Sequence, residues 1–303
     1  MPKKANNTQN GQSQTRIVQA LFTLRSSISH QGTAQGTTGV FNRIKVVTRH
    51  GDVEEVPLVT GNSFRGQLRD HAAKHLIETA GLKPEDLRQA GAALLFSGGS
   101  LTKVSSSGVS LEQVRTLTDA LPPLALFGGS FGNHIVRGKL ISGMFIPVAD
   151  ETALYLPPDL REAAMKASVF DLIQIESYTR RDDSRDERFT RYYPEVQPKA
   201  EDAASTQMRY ELETLVAGTQ LYWHFVLQDV TYLEEQVFLA AMRSWAEHPT
   251  LGGRVAVGHG LVEADMDNGW RITPYGHNLP SAADYEDYLV RNASWIREVL
   301  ASV

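Results

Sequence analysis

The 303-residue chain contains no cysteine, which excludes disulfides, thiolate catalysis and Cys-ligated zinc. That lack fits a reducing cytoplasm, the compartment expected for it. No apolar run approaches the ~18 residues that cross a bilayer, so no membrane partner is expected. A positive balance is missing too: Lys and Arg number 30 against 35 Asp and Glu, a formal charge of −5. This argues mildly against a polyanionic ligand, but bulk charge does not say where the cations sit. No nucleophile elbow, Rossmann fingerprint or phosphate loop is expected either.

What is present is ordinary for a soluble globular protein with one sizeable core: 42% hydrophobic and 21% charged residues. Met1 to Gln14 is polar, with Lys3 and Lys4 but no apolar segment behind them, and reads as a disordered tail rather than a signal peptide. Arg16 to Ile28 alternates with period two around Val18, Ala20, Phe22 and Leu24, predicting a half-buried strand. A loop of small residues, Ser29 to Gly39, precedes a β-like piece, Phe41 to Thr48, that returns through His50-Gly51-Asp52. A helix follows with Asn62 or Ser63 as its N-cap and Phe64, Leu68, Ala72 and Leu76 as its buried stripe. Glu85 to Pro123 reads as a mixed insertion with a Gly/Ser-rich, mobile centre at Ser97 to Ser110.

Beyond it, Ile135 to Pro147 predicts a strand, and Tyr178 to Asp202 an exposed excursion dense in both charges. Leu221, Trp223, Phe225 and Leu227 alternate as a strand. Thr231 and Glu234 form a capping box for a helix with Leu233, Val237, Ala241 and Trp245 on its core stripe. Arg254 to Glu263 predicts a last strand, and Asp267-Asn268-Gly269 a hairpin turn. The order strand, helix, strands, strand, helix, strand suits an α+β fold of the ferredoxin-like or RNA-recognition-motif type.

Four segments carry candidate chemistry. Gly61-Asn62-Ser63-Phe64-Arg65-Gly66-Gln67-Leu68-Arg69 places a helix N-terminus beside two arginines one turn apart, suited to phosphate. A plain amphipathic helix with solvated arginines explains the same residues. Gly128-Gly129-Ser130-Phe131-Gly132, with Arg137 following, could cradle a phosphate while Phe131 stacks on a base, or could simply turn the chain. Leu251-Gly252-Gly253-Arg254 through Gly258-His259-Gly260 suggests close backbone packing or a ligand against it. Arg180-Arg181-Asp182-Asp183, with Arg185, Arg188 and Arg191, could wrap a polyanion or be a solvated loop. Catalytic patterns are weak. His71 and His75 lie i, i+4 without a glutamate between them, so no metal is expected there.

Taken in order, these segments resemble the RAMP superfamily of CRISPR-associated proteins, over about residues 16 to 265, and most resemble the backbone subunit of Type IV effector complexes. The resemblance implies a palm like an RNA-recognition motif (15–60, 124–177, 206–275), a helical finger insertion (61–123), an extended thumb hairpin (178–205) and a C-terminal helix (281–301) in one domain, 15–303. It further implies copies stacked along a guide RNA, other CRISPR effector subunits, a nucleic-acid target (DNA for this type) and a helicase as partners, with no cofactor. By the same resemblance Asn62, Ser63, Arg65 and Arg69 would contact phosphates, with Gly128, Gly129, Ser130, Phe131 and Arg137 from the second loop. Arg180 and Arg181 would belong to the thumb root, and Gly253, Arg254 and His259 to the C-terminal loop.

RNA-cleaving relatives place an Asp in the loop after the first strand. The corresponding Ser29 to Arg43 has neither Asp nor Glu. Without a carboxylate to hold a metal or orient attack, no RNA cleavage is expected and the chain is taken as non-enzymatic. Two alternatives stand beside this one: a RAMP-family ribonuclease using His30 or Asp183, and a protein-interaction module without nucleic acid.

Overall fold

In the computed structural model, residues 13–99, 110–131, 134–180, 191 and 208–302 are described. The two alternating segments form its centre. Strands β1 (Gln14–Leu24) and β3 (Gln220–Val230) pair antiparallel from Gln14↔Val230 to Thr23↔Gln220. Strand β4 (Val262–Met266) pairs with the other edge of β1, and β2 (Leu140–Ser142) with the other edge of β3, both antiparallel. The spatial order of these four is therefore β4-β1-β3-β2. Helix α1 (Gly61–Thr79) connects β1 toward β2, and α2 (Tyr232–Ala246) connects β3 to β4. The chain thus runs β-α-β-β-α-β with its first and second strands separated by the third.

Alternation sends Val18, Ala20, Phe22 and Leu24 of β1 and Leu221, Trp223, Phe225 and Leu227 of β3 to one buried face. The α1 stripe lands on it, and Phe64 meets Phe145, Trp223 and Trp245 edge-on at 5.3, 5.1 and 4.9 Å. Each fully buried ring contributes about 1.5–3 kcal/mol. Helix α2 carries the expected Thr231/Glu234 capping box, but it is buried well beyond its stripe. It lies between the sheet, α1 and the C-terminal helix Ala283–Arg291, which leaves it little solvent face.

A second sheet of four strands, in the order Ile173–Arg180, Met208–Leu215, Thr38–Phe41, Gln31–Gln35, is tied to the segment following β1 by the Ile28↔Leu215 bridge. Among the described residues no helix is long and apolar enough to cross a membrane.

Several expectations are corrected. The N-cap of α1 is Thr60, whose side chain takes the Ser63 N–H, not Asn62 or Ser63. The segment expected to loop after β1 contains the strand Gln31–Gln35, because Thr38–Phe41 beside it pairs with Met208–Leu215 and offers a free edge. Ile135 to Pro147 is broken into His134–Val136, Leu140–Ser142 and Ile146–Pro147. Arg254 to Glu263 is not one strand: Arg254 (φ 59) and Gly258 (φ 94) are both left-handed and bracket a short 3₁₀ turn, Val255–Val257. The C-terminal helix is two, Ala283–Arg291 and Ala293–Ser302, parted at Asn292. Most of the Tyr178 to Asp202 excursion and of the Ser97 to Ser110 loop, Arg181, and residues 1–12 lie outside the described residues.

Candidate nucleic-acid interface

The first half of α1 organises the candidate site. Thr60 closes the helix start, and its own N–H and hydroxyl both lie 3.3 Å from His30 Nε2. Burial pushes the His30 imidazole below its ordinary pKa, so it is neutral and accepts the Thr60 N–H. The first helical residue, Gly61, packs so closely on the Ser142–Gly143 backbone that a Cβ would lie 2.2 Å from a carbonyl oxygen. The helix terminus is thus capped and packed. Just beyond it Asn62 is exposed, as is Gly66 one turn later, and nothing lies within 4 Å of a Cβ placed on Gly66.

Arg65 and Arg69 leave that exposed turn and converge on the second glycine segment. Both donate to the Phe127 carbonyl, Arg69 at 2.6 Å, and Arg69 also donates to the Gly128 carbonyl at 3.1 Å. The Arg69 guanidinium also lies 5.9 Å from the centroid of the Phe127 ring. Glycine makes this convergence possible. A Cβ on Gly138 would sit 2.8 Å from Arg65 Nη2, and one on Gly98 2.7 Å from Arg69 Nη1. Both guanidiniums are half-buried. Burial lowers their pKa values, and for Arg69 the neighbouring Arg65 charge adds to the effect.

Carbonyl oxygens satisfy N–H groups but do not neutralise charge. Arg25, Arg43, Arg49 and Arg271 each meet a carboxylate at 2.7–3.1 Å. Among the described residues Arg65, Arg69, Arg137 and Arg254 make no ion pair. Arg137 is exposed one residue before Gly138, so it borders the same cluster. Lys139, by contrast, is held by Glu234 at 2.7 Å. Asp70 offsets part of the Arg69 charge, and the group is otherwise met by carbonyls rather than carboxylates, a setting suited to an anion.

The third segment reaches the same region through the loop after β1. Gly253 N–H donates to the Ser29 carbonyl at 2.8 Å, and Ser29 hydroxyl to the Gly253 carbonyl at 3.1 Å. Ser29 is next to His30, so the glycine loop and the helix cap share one short stretch of chain. Arg254 stands on the exposed side in a left-handed conformation that strains a non-glycine residue by about 1 kcal/mol. Its guanidinium lies 4.9 Å above the Tyr210 ring, with Nη1 3.3 Å from the Tyr210 hydroxyl. Tyr210 stacks on Tyr178, its partner across the strand pair, at 5.4 Å.

His259 was expected to face RNA. It is buried instead, with Nε2 2.5 Å from Tyr178 Oη, and that phenol donates to Glu176 at 2.6 Å. Burial alone would raise the Glu176 carboxyl. Hydrogen bonds from Tyr178, Ser27, Thr214 and Gln174 together overcome it and hold the pKa at about 2. The Tyr178 phenol is pushed up to about 12 by burial and by that carboxylate. His259 therefore locks the glycine loop to the root of the Ile173–Arg180/Met208–Leu215 hairpin.

Phe131 is half-buried against the core rather than free to stack. Gly128 to Gly132 does spell Gly-x-Ser-x-Gly. Ser130, however, lies in a strand (Gly129–Phe131) that follows a helix, the reverse of a nucleophile elbow, and its hydroxyl is 3.5 Å from the Gly98 carbonyl. His71 contacts Ser244 and His75 stacks on Tyr285; no group of three potential ligands occurs among the described residues. The backbone of Arg180 ends the hairpin strand opposite Met208, while Arg181 is outside the described residues. Gly98, Gly138, Glu176, Tyr178 and Tyr210 were not anticipated. Arg137-Gly138-Lys139, a glycine between two cations, was the one signal that pointed at any of them.

Neither a family model nor a curated protein sequence matches the chain. Among solved structures it is similar to a chain of one described as "Type IV-B CRISPR Complex", with a TM-score of 0.56 and 24% identity over 83% of this chain and 90% of that one. The likeness is one of fold, and it falls in the group that the four sequence segments resemble.

Proposed function

We propose that this chain is a non-catalytic backbone subunit of a CRISPR effector ribonucleoprotein, holding a guide RNA by its phosphates and presenting it to a target. The observation that carries the reading is the convergence of Arg65 and Arg69, both without a carboxylate partner, beside the equally unpaired Arg137. In this reading the β4-β1-β3-β2 sheet with α1 and α2 is the RNA-recognition-like palm. Helices Gln89–Ser97, Leu111–Ala120 and Pro122–Phe127 belong to the finger, and the Ile173–Arg180/Met208–Leu215 pair is the root of the thumb. Arg65, Arg69, Arg137 and Arg254 take phosphates or sugars along one rim, contacts that position a strand without reading its sequence. The exposed Asn62 and Gly66 leave that rim open to a backbone. The fold likeness to a Type IV-B CRISPR complex chain supports the assignment, and copies of this subunit, other effector subunits, target DNA and a helicase are the partners it implies. Non-cleavage rests on the acid-free Ser29 to Arg43 loop and on His30, which is engaged by Thr60.

The test is purification of the chain co-expressed with its neighbouring genes, followed by sequencing of any bound nucleic acid. RNAs of uniform length sharing one end are expected. Protein free of RNA, despite those partners, would overturn the reading.

A further inference from the structure

Arg254 differs from Arg65 and Arg69 in what holds it. Those two donate to backbone carbonyls, whereas the Arg254 guanidinium lies 4.9 Å above the Tyr210 ring. Its one side-chain acceptor is the Tyr210 hydroxyl, 3.3 Å from Nη1. Stacking fixes the plane of a guanidinium without consuming its donors, because the N–H groups lie in that plane and point outward from its rim. Arg254 is exposed, and its guanidinium has no other hydrogen-bond acceptor among the described residues. A flat fork held still, with donors free along its edge, matches two oxygens of one phosphate.

The platform beneath it is itself braced. Tyr210 sits opposite Tyr178 in the antiparallel pair Ile173–Arg180/Met208–Leu215, and the two rings stack at 5.4 Å and 15°. Period-two alternation puts Gln174, Glu176 and Tyr178 on one face of their strand. Tyr178 donates to Glu176 at 2.6 Å, and Gln174 and Thr214 donate to the same carboxylate at 2.8 and 2.9 Å. His259, buried on the glycine loop that also carries Arg254, meets Tyr178 Oη at 2.5 Å. The loop bearing the arginine and the ring beneath its guanidinium are thus tied to one phenol. Arg254 also keeps a left-handed backbone (φ 59) that glycine adopts freely, so an arginine stands there against the local preference.

We propose that Tyr210 is a positioning residue for RNA binding: backed by Tyr178, it holds the Arg254 guanidinium for a bidentate contact with one phosphate of the bound strand. The proposal rests on the RNA-binding reading above and gives the hairpin root a task that needs no contact of its own with RNA.

The test is a double-mutant cycle on the full-length chain, read as affinity for a labelled single-stranded RNA of fixed sequence by fluorescence anisotropy. Arg254→Ala should lower affinity by about tenfold or more and Tyr210→Ala by about fivefold. The double variant should bind no more weakly than Arg254→Ala alone, because Tyr210 acts only through that arginine. Tyr210→Phe keeps the flat ring and should recover most of the loss. Arg254→Gly separates binding from folding: relieved of its left-handed strain the chain should melt at a higher temperature, yet bind RNA as weakly as Arg254→Ala. If Tyr210→Ala fails to fold, Tyr210→Leu, which covers Tyr178 without offering a flat face, takes its place in the cycle. Losses that multiply in the double variant, or either single variant binding as the wild type does, overturn the positioning role and leave the RNA-binding reading standing. A wild-type chain that binds no RNA overturns that reading itself.

Discussion

The two sides of the main sheet carry opposite electrostatics. On the side of α1, Arg65, Arg69 and Arg137 make no ion pair among the described residues; Arg65 and Arg69 donate to the Phe127 carbonyl, and only the neighbouring Asp70 offsets part of the Arg69 charge. On the other face, a groove of about 240 Å³ is lined by Gln19, Leu21, Asp159, Tyr222, Asp265 and Asp267. There the cations are spent: Arg25 pairs with Glu263 at 2.7 Å and Arg271 with Asp265 at 3.1 Å. Burial and then the nearby Asp267 and Asp159 raise the Tyr222 phenol. The segment Asp150–Tyr155 and helix Pro158–Ala164 cover much of the rest. The net charge of −5 is therefore an average over unlike surfaces. In the proposed function, a polyanion would be repelled at the acidic face and admitted at the α1 rim.

The strongest way to break this contrast is to reverse the rim. Arg65→Glu with Arg69→Glu should lower guide-RNA affinity by at least about 100-fold, since each charged hydrogen-bonding partner lost is worth about 1.5–3 kcal/mol. Both arginines also hold the Phe127 carbonyl, so the double variant must first be checked by thermal melting. Arg65→Lys with Arg69→Lys, which keeps the charge, should recover most of the affinity. If the folded Glu variant loads RNA as the wild type does, the rim is not the binding side.

A smaller effect separates the carboxylate inside the binding side from those on the open face. Glu176 has a folded pKa of about 2 against an ordinary 4.5. A depressed carboxylate contributes stability that is complete above about 4.5 and is lost as pH falls through about 2. Its side chain is a quarter exposed, so solvent screening reduces the contribution to about 1–2 kcal/mol. Glu176→Gln should destabilise the chain by that amount at pH 6, with the gap closing below pH 4 in denaturant titrations. A gap that ignores pH would mean that the Tyr178–Glu176–His259 cluster is held by packing rather than by charge.

The fold was more legible than the site, for a physical reason. Strands β1 and β3 and helix α1 announce themselves by period because each presents one face to a single core. Where two sheets or several short pairings compete, period fails. Gln31–Gln35 is exposed throughout and has no alternation to show, and Ile135 to Pro147 is split by Gly138 and Gly143, each closely approached by other parts of the chain. At the site, Arg65 and Arg69 were found because a helix spacing fixes their common direction. That they meet at Phe127 depends on a contact spanning some sixty residues, which no local pattern encodes. His259 illustrates the opposite error. The resemblance set it against RNA, whereas its glycine neighbours suggested close backbone packing, and the left-handed Gly258 and Gly260 turn the chain so that the imidazole is buried against Tyr178.

The finest test of the contrast asks whether the acidic face acts at a distance. Asp265 is 61% exposed, and the Debye length at physiological salt is about 8 Å. The open face and the α1 rim lie on opposite sides of a sheet with helices packed on it, so more than that length separates them. Asp159→Asn, Asp265→Asn and Asp267→Asn combined should therefore change guide affinity by less than about twofold at 0.15 M salt. At low salt screening weakens, and the triple variant should bind non-specific RNA faster than the wild type. A large gain at physiological salt would place bound RNA near the open face and invert the assignment of the two sides. An effect confined to low salt would leave the acidic face in the role its charges suggest, that of excluding strands from the wrong side of the sheet.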